Sequence, residues 1–146
     1  MSLRWFISVF VIAMIGVAWL FVDRKSNKVP SDASVETNNA LIEVFSPLEG
    51  EAIESPLIVR GQARGTWFFE ATFPVVLTNW DGLIIAEGYA TAQDEWMTED
   101  FVPFLATLTF DVPGVYNRGT LILQKSNPSG LSNNDDAFEL PILFTP

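Results

Sequence analysis

The sequence predicts an all-β fold, an antiparallel β-sandwich of about seven strands, preceded by one N-terminal transmembrane helix. After residue 40, short segments that alternate apolar and polar side chains recur at steady spacing, and a glycine or proline marks most junctions. No segment beyond residue 23 has a convincing 3.6-residue apolar period. Before residue 23, apolar residues follow one another without a charge. These observations indicate a sheet-based domain on a membrane anchor.

The apolar run extends from Trp5 to Val22, and no charged residue interrupts it. A helix of about 18–20 apolar residues spans the core of a bilayer. Trp5 and Trp19 lie near the ends of the run, where indole rings favour the membrane interface. We therefore expect residues 1–25 to form a signal-anchor that holds the chain in the lipid bilayer.

Two features of this segment leave alternatives open. A cleaved signal peptide would need a small-x-small cleavage site, whereas the sequence FVDRK follows the run. Arg4 precedes the run, and Arg24, Lys25 and Lys28 follow it, which by the positive-inside rule favours a cytoplasmic C-terminus. The four-residue tail that ends in Arg4 is instead typical of a signal-anchor. We expect a single-pass protein of the cell membrane with its C-terminal domain on the extracytoplasmic side.

Residues 26–40, SNKVPSDASVETNNA, are poor in large apolar side chains and predict a flexible linker. Random-coil scaling gives such a linker a reach of roughly 20 Å. The domain then occupies residues 41–146. Its seven predicted strands are residues 41–45, 56–63, 68–78, 83–92, 104–112, 119–125 and 138–144.

Alternation along these strands places every second side chain on one face of the sheet. The predicted inward-facing residues are Ile42, Val44, Leu57, Val59, Phe73, Val75, Leu77, Phe104, Ala106, Leu108, Phe110, Leu121 and Leu123. Asp81-Gly82 predicts a tight hairpin turn. Gly61 inside a strand predicts a bulge or a close approach, and Pro141 predicts an edge position or a bulge.

Composition excludes several functions. From residue 40 onward the chain has fifteen acidic and four basic residues, and this net charge of −11 would repel nucleic acid. The sequence contains no cysteine and no histidine. Thiolate nucleophiles, zinc-thiolate sites, histidine general bases and the usual transition-metal ligand are therefore missing. We expect no enzymatic activity and no cofactor.

Several short motifs follow one another in a recognisable order. They are Ser46-Pro47 with Gly50, Ser55-Pro56-Leu57 with Val59 and Gly61, Trp67-Phe68-Phe69-Glu70-Ala71, Asp81-Gly82, Trp96-Met97-Thr98-Glu99, Phe104, Gly119, and Asn127-Pro128-Ser129-Gly130. Their order resembles a bacterial family, the immunoglobulin-like domain associated with spore-germination proteins, called the second GerMN-associated domain. The resemblance covers about residues 41–145 and implies an immunoglobulin-like sandwich in an exported or membrane-tethered module without known catalysis.

The first candidate site is the acidic, aromatic loop predicted over residues 93–103. Aromatic and acidic side chains on a loop can stack on a sugar or hold a cationic peptide. In the alternative, structural interpretation, Trp96 and Phe101 close one end of the sandwich while the acids stay in water. The candidate partner-binding residues are Trp96, Met97, Glu99, Asp100 and Phe101.

The second candidate is the aromatic run from Trp67 to Glu70. In a strand, Trp67 and Phe69 would share one face. Either an aromatic pair is exposed as an interface, with Trp67 as a ligand-binding residue, or a bulge re-aims a side chain into the core. Core packing is the interpretation that we favour, with Glu70 paired to Arg60 or Arg64.

Two further clusters carry weaker signals. Asp135 and Asp136 follow an Asn- and Ser-rich stretch and could bind calcium, but the spacing fits no EF-hand and suits an ordinary turn. Glu99-Asp100 and Asp94-Glu95 could be a glycosidase pair only if two carboxylates faced each other across a cleft. Adjacent positions in a loop do not establish that arrangement.

The sequence therefore predicts a non-catalytic, membrane-tethered extracytoplasmic module for protein binding or envelope assembly. We expect the lipid bilayer, through the N-terminal helix, and an envelope protein or cell-wall polymer as its partners. The first alternative is a cell-wall carbohydrate-binding module in which Trp96 or Trp67 stacks on a sugar. The second alternative is a carboxylate-based wall hydrolase.

Overall fold

The computed structural model describes residues 41–146, which lie within one compact unit of the chain, Asp32–Pro146. The predicted anchor of residues 1–25, with Trp5 and Trp19, and the predicted linker of residues 26–40 lie outside the described residues. Within residues 41–146, no helix has the length and apolar character needed to cross a bilayer.

The domain is all-β, as predicted, and its described part contains eight strands. Two short 3₁₀ helices, Gly65–Trp67 and Ser132–Asn134, lie between strands. Seven strands correspond to the predicted ones with shifted ends, and the additional strand, β2, is two residues long. The strands are β1 (Ile42–Ser46), β2 (Ala52–Ile53), β3 (Leu57–Arg64), β4 (Thr72–Asn79), β5 (Ile84–Ala92), β6 (Phe101–Leu108), β7 (Arg118–Gln124) and β8 (Ala137–Phe144).

The strands form one hydrogen-bonded sheet in the order β1-β3-β6-β5-β4-β7-β8-β2. All neighbours are antiparallel except β2 and β8, which are parallel. β5 pairs with β4 along its length but with β6 only at Thr91 and Ala92. The sheet therefore divides between β5 and β6 into two halves, β1-β3-β6 and β5-β4-β7-β8-β2. The chain from β1 to β2 passes from one half to the other.

The core lies between these halves and contains the side chains that alternation assigned to it. Every predicted inward-facing residue is buried except Val44, which is partly buried against the core. The ring centroids of Phe73 on β4 and Phe104 on β6 lie 5.0 Å apart in an edge-to-face contact. Phe110 and Phe144 meet in the same manner at 5.6 Å. Aromatic contacts therefore join the two halves at both ends of the core.

Gly61 allows β1 and β3 to pack closely, as the sequence indicated. A Cβ atom at this position would overlap the carbonyl oxygen of Glu43 and lie 2.7 Å from the Phe104 ring. The register between β1 and β3 also shifts between Val44 and Ser46, opposite this glycine. Because glycine has no side chain, nothing at this position holds β1 away from β3 and from the core.

Pro141 has no N–H to donate, and at its position in β8 no hydrogen bond to β7 is lost for that reason. It pairs with Thr120 on β7, but its carbonyl oxygen points away from β7 and accepts a 2.8 Å hydrogen bond from the N–H of Gly50. β2 pairs with β8 only at Leu143 and Phe144. β8 therefore lies between β7 and β2 and is not the edge strand that Pro141 predicted, but the β2 ladder does not extend to Pro141, so no ladder hydrogen bond needs its missing N–H.

The strand predicted over residues 68–78 begins four residues too early. A 3₁₀ turn ends at Trp67, and Glu70 and Ala71 have positive φ angles of 51° and 63°, so the chain reverses before β4 starts. This reversal turns both Trp67 and Phe68 into the core and leaves Phe69 exposed. Strand alternation does not apply to this segment.

Glu70 is exposed, and it forms no ion pair with Arg60 or Arg64 in the described domain. The expected structural pairing of Glu70 is therefore wrong. Arg64 lies instead over the ring of Phe101, with its Cζ atom 4.0 Å from the ring centroid.

We expect Gly61→Ala to destabilise the domain by at least about 2 kcal/mol, because the new methyl group overlaps backbone that cannot move without disturbing two strands. Urea denaturation of residues 32–146 measures the change. Gly114→Ala is the matched control: no atom lies within 4 Å of its Cβ position. The free energy of unfolding should change there by no more than about 0.5 kcal/mol. Equal effects at the two sites would contradict the close-packing argument.

Candidate functional site

The two ends of the sandwich present different surfaces. The Trp96 end contains Leu41, the connection of residues 65–71, the loop of residues 93–100 and the loop of residues 125–136. The Trp80 end contains residues 47–51, the β4–β5 turn of residues 80–83 with Ile84 at the start of β5, the β6–β7 connection of residues 109–117, and Leu143 near the end of β8. The sequence analysis placed its candidate site at the Trp96 end.

The loop of residues 93–100 is held by its own polar groups. The side chain of Asp94 accepts a hydrogen bond from the N–H of Glu95, and the Glu95 side chain accepts one from the N–H of Met97. The hydroxyl of Thr98 accepts from the N–H of Asp100. The carboxylates of Asp94 and Glu95 therefore shape the loop, and both are exposed. Neither has the arrangement of a glycosidase acid or base.

Trp96 is partly buried against the core, whereas Met97 is 74% exposed. The loop backbone lies so close to Gly65 that a Cβ there would overlap the carbonyl oxygens of Trp96 and Thr98. The Gly65 N–H donates to the carbonyl oxygen of Asp100 at 3.1 Å. These contacts support the structural interpretation for Trp96.

Phe101 belongs to β6 and not to the loop, because the strand begins three residues earlier than expected. Its neighbour Val102 is buried, so Phe101 projects from the opposite, outer face of the sheet. The Arg64 guanidinium covers the Phe101 ring and donates a 3.3 Å hydrogen bond to the carbonyl oxygen of Glu99. The expectation that Phe101 closes the end of the sandwich is therefore wrong.

Trp67 is 1% exposed, and its ring packs against Phe73 with the centroids 6.3 Å apart. A sugar cannot stack on a ring in this position. Its Nε1–H has no hydrogen-bond partner among the described residues. Trp67 is part of the core and is not a binding residue.

The acidic residues of the β7–β8 loop also have local roles. Asp135 Oδ1 accepts a 2.6 Å hydrogen bond from the Asn127 side chain, and Asp136 Oδ1 accepts one from the N–H of Ala137. Within residues 41–146, no three acidic side chains converge as metal ligands would. The described loop thus has the hydrogen bonding of a polar turn.

The Trp80 end carries an exposed aromatic cluster that the sequence analysis missed. The rings of Trp80 and Tyr116 meet edge-to-face with their centroids 4.9 Å apart. The Arg118 guanidinium lies 5.7 Å from the Tyr116 centroid. Trp80 is 47% exposed and Tyr116 is 58% exposed, so the cluster joins two connections and still presents its rings to solvent.

The local backbone explains why Trp80 is exposed. The Asn79 side-chain oxygen accepts hydrogen bonds from the N–H groups of Asp81 and Leu83, and Gly82 has a φ of 80°. The predicted hairpin therefore forms, and its tip places Trp80 outside the strands. A tryptophan within an Asn-x-Asp-Gly turn was the signal that could have identified this residue from sequence.

A groove of about 330 Å³ runs beside Trp80 across the outer face of β7 and β8. Its walls are largely apolar, and the guanidinium-bearing Arg118 lies among them. Its lining residues include Gly50, Trp80, Arg118, Pro141, Ile142 and Leu143. The groove and the aromatic cluster thus form one continuous surface.

Exposed apolar side chains are concentrated at this end. Eight of the fifteen large apolar side chains that are exposed in the described domain lie there, against three at the Trp96 end. A contiguous exposed apolar surface is typical of a protein-protein contact. The eight are Leu48, Trp80, Leu83, Ile84, Val112, Val115, Tyr116 and Leu143.

Comparison with known families identifies the domain. The model of the Gmad2 family, the immunoglobulin-like domain of bacterial spore germination, matches residues 41–132. The chain belongs to this family. The resemblance inferred from the sequence motifs is therefore confirmed. No curated protein and no solved structure gives a significant match.

The Gmad2 match includes β1 to β7 and ends at the 3₁₀ helix before β8. β8 nevertheless pairs with β7 at seven positions and completes the groove beside Trp80. The immunoglobulin-like fold of this Gmad2 domain, with its all-β sheet, agrees with the fold class that the strand pattern predicted.

We expect Trp96→Ala to lower the free energy of unfolding by roughly 2 kcal/mol, because its partly buried ring packs on the core. Met97→Ala should change it by less than about 0.5 kcal/mol, because that side chain is mainly in solvent. Urea denaturation of both variants of residues 32–146 tests this. A neutral Trp96→Ala would contradict the structural role and would restore Trp96 as a candidate binding residue.

Proposed function

We propose that this chain is a non-catalytic, membrane-tethered extracytoplasmic module that binds a protein of the cell envelope through its Trp80 end. The observation that carries the proposal is the exposed cluster of Trp80 and Tyr116 beside an apolar groove. Family membership supports a binding role, since immunoglobulin-like domains of this kind are generally non-catalytic.

The physical character of the Trp80 end supports protein binding. Trp and Tyr supply large contact areas at low conformational cost, and they dominate the energetics of many interfaces. The edge-to-face contact between the two rings fixes both side chains before a partner arrives, which reduces the entropy lost on binding. Hydrogen bonds of the Asn79 side chain hold the turn that carries Trp80.

The chemistry of the described domain supports a role without catalysis. The sequence has no histidine or cysteine, and the loop carboxylates of Asp94 and Glu95 are engaged in local hydrogen bonds. The groove beside Trp80 is lined mainly by apolar side chains and contains no carboxylate. Such a surface can hold a partner but offers no acid and base across a cleft.

The apolar run from Trp5 to Val22 supports the membrane tether. We expect the full chain to sediment with membranes, to resist extraction by carbonate and to dissolve in detergent. Protease added outside bacterial cells whose outer layers have been removed should digest residues 41–146. Survival of the domain until the membrane is lysed would place it in the cytoplasm and contradict export, while release of the chain into the medium would contradict the tether.

Site-specific photocrosslinking in living cells tests which end of the domain binds. We expect a photoreactive phenylalanine at Leu83 or Val115 of the full chain to give a discrete crosslinked protein. The matched control at Met97 should give none, although Met97 is at least as exposed as either position. Crosslinks at Met97 and none at the Trp80 end would contradict the proposed surface.

A further inference from the structure

We propose that the Trp80 end recognises a segment of its partner that combines basic and apolar side chains. This inference rests on the proposed protein-binding function and adds the chemistry of the partner. It comes from the charges at the same end as the apolar surface, which is a different observation from the aromatic cluster itself.

Exposed acidic side chains lie on the connections that form this end. Asp81 follows Trp80 in the turn, and Glu49 and Glu51 flank Gly50, which lines the groove. Glu54 and Asp111 neighbour the contact in which the N–H of Phe110 donates to the Ser55 hydroxyl. The same end therefore carries apolar side chains and an excess of carboxylates.

The single basic side chain at this end does not offset these acids. The Arg118 guanidinium lies against the Tyr116 ring and holds the residue that packs on Trp80. It forms no ion pair with any described carboxylate. Five exposed acids against one arginine leave a local excess of negative charge, and the whole region from residue 40 onward adds its net charge of −11.

Charge complementarity selects the occupant of this surface. Negative potential raises the encounter rate of cationic partners, and apolar contacts then determine how long the complex lasts. A second copy of this domain would bring the same excess of negative charge to the contact. Anionic lipid headgroups would be repelled for the same reason. A basic segment with apolar side chains complements both the carboxylates and the apolar side chains of this surface.

The groove accommodates such a segment in an extended conformation. Its volume of about 330 Å³ is at the small end of the range for ligand sites, and it suits a few side chains of a peptide. Apolar side chains would lie between Trp80 and Leu143. Lysine or arginine side chains would extend from the same segment to Glu49 and Asp81.

A designed peptide tests this chemistry on residues 32–146, the compact unit described above. The probe is a fluorescein-labelled decapeptide of alternating Lys and Leu with one central Trp, and binding is measured by fluorescence anisotropy. The matched peptide has Glu in place of every Lys. We expect the Lys peptide to bind at least tenfold more tightly than the Glu peptide, and its affinity to fall as the salt concentration rises.

Variants locate the binding surface. Trp80→Ala and, as a second variant, Leu83→Ser should each weaken binding of the Lys peptide by tenfold or more, with unfolding curves that show an intact fold.

Glu49→Gln with Asp81→Asn should weaken binding and reduce its salt dependence. Glu99→Gln with Asp100→Asn removes the same charge at the Trp96 end and should leave the affinity within twofold. Tyr89→Ala, which removes an exposed ring from another face, should also leave it unchanged.

Several outcomes would overturn the inference. These are equal affinity for the Lys and Glu peptides, equal effects of the two charge-removal pairs, or an unchanged affinity in both Trp80→Ala and Leu83→Ser.

Sedimentation velocity that shows a dimer lost in Trp80→Ala would identify a second copy as the occupant. Cosedimentation with phosphatidylcholine vesicles that depends on Trp80 would identify lipid. If any of these results is obtained while Leu83 still gives crosslinks in cells, the inferred chemistry of the partner is wrong and the proposed protein-binding function stands. If the crosslinks are also missing, the proposed function fails.

Discussion

The contacts around Phe73 determine how the two halves of the sheet meet, and the rest of the domain depends on them. Phe104 packs edge-to-face on Phe73 from the other half, and Phe68 and Trp67 approach from the connection that precedes β4. None of these four side chains is more than 5% exposed. Edge-to-face packing adds about 0.5–1.5 kcal/mol per pair to the free energy gained by burial. The cluster thus fixes both the sheet and the 3₁₀ turn that begins at Gly65.

That cluster also explains why the Trp96 loop packs against the sandwich. Trp67 and Phe68 enter the core because the chain reverses at Glu70 and Ala71. Gly65 then lies directly under the loop of residues 93–100, whose Asp100 carbonyl accepts its N–H. The aromatic and polar groups that make this loop conspicuous in the sequence are used to close the sandwich, and mainly carboxylates and Met97 remain in solvent.

The Trp80 end differs because its connections do not cover their own apolar side chains. Trp80 and Tyr116 contact each other rather than the core, and the groove beside them is open between Gly50 and Leu143. Exposing so much apolar surface favours association, which a soluble domain normally limits. The acidic side chains at this end disfavour self-association and anionic surfaces, so they restrict the partners that the apolar groups would otherwise accept.

The sequence by itself determined the fold class, the inward-facing residues and the family, because strand alternation and turn residues are local properties of the chain. It also located the Asp81-Gly82 turn and the close approach at Gly61. It favoured burial of Trp67, which the structure confirms, but it missed the exposed Trp80 and misplaced Phe101, because whether an aromatic ring is buried depends on which distant segment packs against it. Gly65 and the Trp96 loop are about thirty residues apart, and Trp80 and Tyr116 are thirty-six apart. Only the tertiary structure brings those segments together, and it thereby decides that Trp80 and Tyr116 form an exposed pair while Trp96 packs on the core.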